Sequence, residues 1–489
     1  MRRILSAVVG MLFLTAACYE MSAEISMSPL FTDNMVLQQK ADAPVWGTAT
    51  PGSHVEVMTS WNKRVYKTKA DEAGKWMVKV ATPKAGGPYT IGVREQGGET
   101  RTIENVLIGE VWLCSGQSNM EMPVKGWGKV NDFEKELKNA ARYPKVRFLE
   151  VQKAVSPVPG DDFVADYDGW VECSPETLEE FSAVAYFFGR TIHLEKNVPV
   201  GLINTSWGGT YIEPWMSAEA LQDYPEFADE LANVAGWSLD KEERHYCTAL
   251  YNAMISPLVP YAIKGAIWYQ GCSNVGRAYR YRDLMTGMIE GWRKDWGYDF
   301  PFYITQLANY LQYQTQPEES VWAELRESQD VASRVTANTG LAVTIDIGDA
   351  EDIHPKNKQE VGRRLALQAL NKTYGKSVVC SGPVYEGYEI EGNVIRIRFS
   401  SVAKGLVAKG GKLEGFTIAG ADRQFYWAEA RIVGDCVEVT CKDVERPLAV
   451  RYAWANNPVI SLFNSEGLPA GPFRTDEWPP LTLYNTAFL

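Results

Sequence analysis

Histidine is scarce in this chain. Only His54, His193, His245 and His354 occur in 489 residues, which argues against a metal site built from several imidazoles. The eight cysteines include no CxxC pair, so the sequence signals of a zinc site or a redox dithiol are missing. Basic residues are outnumbered: 61 Asp and Glu face 49 Lys and Arg, for a formal net charge of −12. With no long basic run to offset it, that surface repels phosphate backbones and argues against a nucleic-acid partner. Past the N-terminus, no stretch approaches the roughly 18 uninterrupted apolar residues of a transmembrane helix. Internal repeats and low-complexity tracts are absent too. Hydrophobic residues make up 45%, near the globular average, which leaves little room for a disordered or fibrous chain.

What is present begins at the N-terminus. Arg2 and Arg3 precede an apolar run from Ile4 to Ala17, the pattern of a secretory leader. Residues 1–23 are therefore expected to direct export, to the periplasm, the outer membrane or the outside of a bacterium. The run ends Leu14-Thr15-Ala16-Ala17-Cys18, which resembles a lipoprotein box except that Thr15 stands where an aliphatic residue is usual. A lipid anchor at Cys18 and ordinary cleavage after Ala23 are the two alternatives.

Residues 24–105 read as an all-β unit, with short alternating runs such as Val55-Glu56-Val57-Met58 separated by turns such as Thr50-Pro51-Gly52-Ser53. A small antiparallel sandwich fits that spacing. Residues 106–375 change character. Apolar runs at Ile108–Cys114, Val146–Val151, Val198–Ile203, Ile263–Tyr269, Phe302–Leu307 and Leu341–Ile347 alternate with helical patterns at Phe181–Glu195, Tyr281–Asp295, Val321–Val335 and Asn357–Asn371. This alternation predicts an α/β fold, a mostly parallel sheet with helices on both faces and ligands outside the carboxyl ends of its strands. Residues 376–489 return to strand patterns, as in Val394-Ile395-Arg396-Ile397-Arg398-Phe399.

Four blocks fall just after predicted strands. Gly116-Gln117-Ser118-Asn119-Met120 places a serine on a glycine-containing turn, where it could be a nucleophile or a helix-capping residue. Ser206-Trp207-Gly208-Gly209-Thr210 and Gln270-Gly271-Cys272-Ser273-Asn274 offer backbone N–H groups and an Asn amide for a developing oxyanion. Asp349-Ala350-Glu351-Asp352-Ile353-His354-Pro355 holds the one histidine at a strand end beside acids. His54 falls in a turn of the β unit, His193 late in a helix and His245 behind a charged run, so His354 is the candidate base.

Together these blocks resemble, in order, those of the sialate O-acetylesterase family within the SGNH hydrolases, as do Trp322-Ala323-Glu324-Leu325-Arg326-Glu327-Ser328-Gln329 and the opening Ser28–Gln38 segment. The resemblance implies a flavodoxin-like core with flanking β-rich segments and no metal or organic cofactor. It implies Ser118 as nucleophile, His354 as base and Asp352 as its acid, with Glu351 as the alternate. It also implies an oxyanion hole from Ser118, Gly208 or Gly209, and Asn274. Gln117, Trp207, Gln270 and Arg326 are the expected substrate contacts, with Arg326 or Arg277 suited to a sugar carboxylate. One departure stands out: Cys272 occupies a place where the family often has Glu. The expected substrate is an O-acetylated sialic acid, with acetylated xylan or another plant polysaccharide as the alternative. A non-catalytic carbohydrate-binding protein is the competing class.

Overall fold

Strand Thr100–Gly116, 17 residues long, is the spine of the computed structural model, which describes residues 25–233 and 243–486. The leader expected over 1–23, with Cys18, lies outside the described residues. The first half of the spine is largely exposed and pairs antiparallel with Gly86–Glu95. From Val106 to Gly116 every residue is buried, because parallel strands flank this half and helices cover it. That is why the sequence shows one unbroken apolar run here.

Val200–Ser206 lies on one side of the spine and Gly265–Tyr269 on the other, both parallel to it. Phe302–Thr305 and then Thr339–Ala342 extend the sheet past Gly265–Tyr269. On the opposite flank Val146–Glu150 is parallel and Val171–Glu172 closes the edge antiparallel. With the Val146–Glu150 strand set aside, the five remaining parallel strands run in the flavodoxin-like order 2-1-3-4-5. The expected α/β class is the observed one. The spine stands at the switch point of that order, so the crevice at its carboxyl end is where a ligand site belongs.

The covering helices have local reasons to begin where they do. Ser182 accepts from Ala185 N ahead of Ala183–Lys196, Ser320 from Ala323 N ahead of Val321–Val335, and Asn357 from Glu360 N ahead of Lys358–Gln368. Each satisfies an N–H that the first helical turn leaves open. The fourth helix, Ala278–Trp296, ends at Gly297 in the left-handed region. Among the described residues no helix is long and apolar enough to cross a membrane.

The two β-rich segments relate differently to the parallel sheet. The boundary expected at 105/106 falls inside the continuous spine, and Val45, Val57 and Ile91 share one hydrophobic cluster with Trp112 and Leu113. The C-terminal strands instead gather a core of their own around Ile395, Ile397, Ile418, Val437 and Tyr452.

Arg326 fastens that C-terminal module to the sheet. It was expected at the substrate, but it is fully buried. Its guanidinium donates to Leu307 O at 2.8 Å, Ala308 O at 2.7 Å, Ala455 O at 2.8 Å and Asn456 O at 2.8 Å. Planar forked donors suit such a set of carbonyls. Burial pushes its pKa down to about 9, which leaves it a cation at neutral pH.

Replacing Arg326 with Met strands those carbonyls without donors. An unsatisfied buried polar group costs about 1–3 kcal/mol, so Arg326→Met is expected to destabilise the fold by at least about 3 kcal/mol. Urea unfolding of both proteins checks this; an unchanged midpoint would remove Arg326 as a brace.

Candidate active site

The spine ends at Gly116, whose φ is +143°. A Cβ there would stand 2.2 Å from Tyr269 O, so only glycine fits on both counts. The next residue is pinned to the same neighbour: Gln117 N donates to Tyr269 O at 3.0 Å, and Gly271 N donates to Gln117 Oε1 at 2.8 Å. Ser118 then opens a single helical turn, Ser118–Glu121, that points its side chain off the sheet's carboxyl edge.

His354 arrives from the segment that follows Thr339–Ala342. Its Nε2 lies 2.9 Å from Ser118 Oγ, across 236 residues of sequence. Asp352 Oδ1 accepts from the His354 backbone N–H at 2.8 Å and stands 3.6 Å from the ring's Nδ1. Of the two candidate acids, Asp352 is the one beside the ring. Glu351 is exposed, and its N–H donates to Asp349 Oδ1 at 2.9 Å. Trp127 closes over the imidazole edge-on, with ring centroids 4.6 Å apart.

Asn119, next to the serine, joins the two halves of the site. Its Nδ2 donates to Ile353 O at 2.9 Å, and its Oδ1 accepts from Lys358 Nζ. Lys358 is fully buried, and the loss of solvent pushes its pKa down to about 7. The imidazole of His354 is also held below its ordinary value, first by burial and then by the Lys358 charge, against the opposing pull of Asp352 and Glu121. The shift favours the neutral imidazole, the form able to accept a proton.

A cavity of about 550 Å³ opens over Ser118 and His354. Of the expected contacts, Gln117, Trp207, Gly208 and Gly209 line it. Gly208 sits against Ser118, since a Cβ on it would stand 3.1 Å from Ser118 Cβ. Its N–H donates to Glu121 Oε2 at 2.6 Å, while Lys153 Nζ holds Glu121 Oε1 at 2.5 Å.

Three expectations need correction. Asn274 is buried beneath the cavity: its Nδ2 donates to Glu213 at 3.3 Å, and its Oδ1 accepts from Ile212 N at 3.1 Å and Gln270 Nε2 at 2.7 Å. It is tied into the network of the buried Glu213–Arg277 ion pair, where an open amide would be costly. Gln270 is fully buried as well, its Nε2 shared between Thr210 O and Asn274. Arg326 braces backbone, as described above, and Arg277 is committed to Glu213. The cations that do line the cavity are Lys153 and Arg244. Neither sits in a motif, so sequence reading had no signal for them. Lys358 was hidden too, although its place four residues after His354 at a helix start was visible.

A family model described as carbohydrate esterase, sialic acid-specific acetylesterase, matches residues 108–371. The sialate O-acetylesterase of Mus musculus is 30% identical, over 95% of this chain and 97% of its own length. That of Homo sapiens is 31% identical, over 91% of this chain and 92% of its own. The crystal structure of a carbohydrate acetylesterase from Xanthomonas citri superposes with a TM-score of 0.84 at 37% identity, covering 93% of this chain and all of that one.

Four histidines give few imidazole signals to assign. His354 is expected to titrate below 6.5 by NMR. In Lys358→Met a positive neighbour is gone, so the imidazolium is less disfavoured and the midpoint moves up. A midpoint that stays put would show that Lys358 does not act on the ring.

Proposed function

Because the chain belongs to the sialic acid-specific acetylesterase family of carbohydrate esterases, we propose that it removes O-acetyl groups from sialic acids through an acyl-enzyme on Ser118. The observation that carries this reading is the 2.9 Å contact between Ser118 Oγ and His354 Nε2, made at the carboxyl edge of the sheet. In the first half-reaction His354 Nε2 takes the Ser118 proton as Oγ attacks the acetyl carbonyl. The imidazolium, steadied by Asp352, then protonates the departing sugar oxygen. In the second half a water attacks the acetyl-serine, His354 takes its proton, and acetate leaves with Ser118 restored.

The developing oxyanion needs donors, and Gly208 N–H is the backbone donor packed against Ser118. Glu121 holds that N–H with a carboxylate oxygen. Glu121 must release it as the ester enters, and Lys153 is already bound to the other oxygen to retain it. The choice of sialic acid is supported by Arg244 in the cavity wall, a cation suited to the sugar's carboxylate. The basic, then apolar, start of the chain supports reading it as an exported enzyme.

Ser118→Ala is expected to lower kcat/KM for p-nitrophenyl acetate by at least about 10³-fold. Equal rates in both proteins would overturn the mechanism and favour a non-catalytic sugar-binding protein. Asp352→Asn is expected to cost about 10- to 100-fold, because its carboxylate is partly exposed and 3.6 Å from Nδ1. Glu351→Gln should stay within about twofold, and the reverse ranking would exchange their roles. Acetate release from O-acetylated sialic acids and from acetylated xylan, measured side by side, decides the substrate. A preference for xylan would replace sialic acid.

A further inference from the structure

A second concave site, of about 420 Å³, lies where the loop after Phe302–Thr305 meets the C-terminal module. Tyr313, Phe425, Trp427 and Trp454 give it four aromatic walls, with Glu318 and Glu414 among them. Tyr313 is 61% exposed and Trp427 45%, so both present open ring surface. The indole N–H of Trp454 is buried with no hydrogen-bond partner.

The walls are fixed before anything binds. Trp427 Nε1 donates to Thr315 O at 3.1 Å, which ties the loop to the C-terminal sheet. Asn457 Nδ2 donates to Leu311 O at 2.6 Å and Asn309 Nδ2 to Asn457 Oδ1 at 2.8 Å. Arg326 spans the same junction from below. Arg451 lies 4.3 Å from the centroid of Phe425 and 5.1 Å from that of Trp454. Its own charge is spent on Glu319 and Asp476. Glu318 and Glu414, by contrast, have no cationic partner among the described residues.

Rigid aromatic faces interspersed with a few polar groups suit a ligand with apolar ring faces and hydroxyl edges. Such a ligand is a sugar. Glu318, Glu319 and Glu414 outnumber Arg423 and Arg451 in the wall, which disfavours an acidic one, since like charges at a concave wall repel. We propose that this groove is a second carbohydrate-binding site, taking an uncharged stretch of glycan. The loop that forms it leaves the carboxyl end of a strand in the same parallel sheet as Ser118. A glycan held at both places would keep its ester near the nucleophile at a raised effective concentration. This last role rests on the esterase reading; the binding itself does not.

The test is calorimetric titration of the full Ser118→Ala protein with xylohexaose, cellohexaose and mannohexaose, and with hexagalacturonate as the acidic counterpart. At least one neutral hexasaccharide is expected to bind, and Tyr313→Ala and Trp427→Ala should each weaken it by about tenfold. Tyr313 is the safer variant, because its ring is exposed and its side chain makes no hydrogen bond among the described residues. Both changes in the active protein should leave p-nitrophenyl acetate hydrolysis unaltered. Failure of every neutral sugar to bind, equal binding by both variants, or stronger binding of hexagalacturonate would overturn the proposal. Loss of p-nitrophenyl acetate hydrolysis in Ser118→Ala is a separate readout, so the site and the esterase mechanism stand or fall independently.

Discussion

The edge that carries Ser118 depends on how closely two backbone segments approach at Gly116. The space beside its Cα is filled by Tyr269 O, 2.2 Å from where a side chain would begin. That approach lets Gln117 bond both Tyr269 O and Gly271 N, so the turn bearing Ser118 and the turn after Tyr269 are one object. Ser118 is positioned by backbone on both sides, not by its own side chain. The pairing with His354 then needs only that the last loop be brought in, which Asn119 does by binding Ile353 O.

Three buried cations around this edge are stabilised in different ways, and the differences sort their roles. Arg277 has a carboxylate, Glu213, in a buried pair. Arg326 has a ring of carbonyls, which keeps it charged without an anion. Lys358 has one amide oxygen and the face of Tyr269, 5.4 Å from its Nζ. Of the three it is the one whose proton is exchangeable near neutrality, at about 7. The neighbouring Cys272 thiol is pushed up to about 12 by burial, so it is neutral and offers Lys358 no counter-charge. A carboxylate at that position would hold the ammonium charged and pass its influence on to His354.

Much of this was legible in the sequence because the signals were strong and local. Buried parallel strands are apolar on both faces, so five runs fell on strands and the sixth, Leu341–Ile347, overlapped only the end of Thr339–Ala342; the blocks after them held Ser118, His354 and Asp352. What failed to show was direction. Asn274, Gln270 and Arg326 carry polar groups of the right kind in the right blocks, yet each turns inward to satisfy buried backbone or a buried acid. Position along a chain does not reveal which way a side chain points when neighbours from distant segments compete for its hydrogen bonds. Lys153 and Arg244 were invisible for the opposite reason: they reach the cavity from stretches with no pattern at all. The 105/106 boundary falls inside one strand, where the change from alternating to solid apolar pattern marks a change of neighbours.

That undivided strand bears on how the molecule comes into being. As the chain is synthesised, residues 100–116 can pair at first only with what precedes them, the Gly86–Glu95 strand and Val36–Gln38. Their parallel partners at Val200–Ser206 and Gly265–Tyr269 emerge much later. The apolar half must wait through that interval, and long-range parallel pairing is the slow, aggregation-exposed step of such topologies. The N-terminal β unit is thus placed to hold one end of the central strand in register while the rest of the sheet forms.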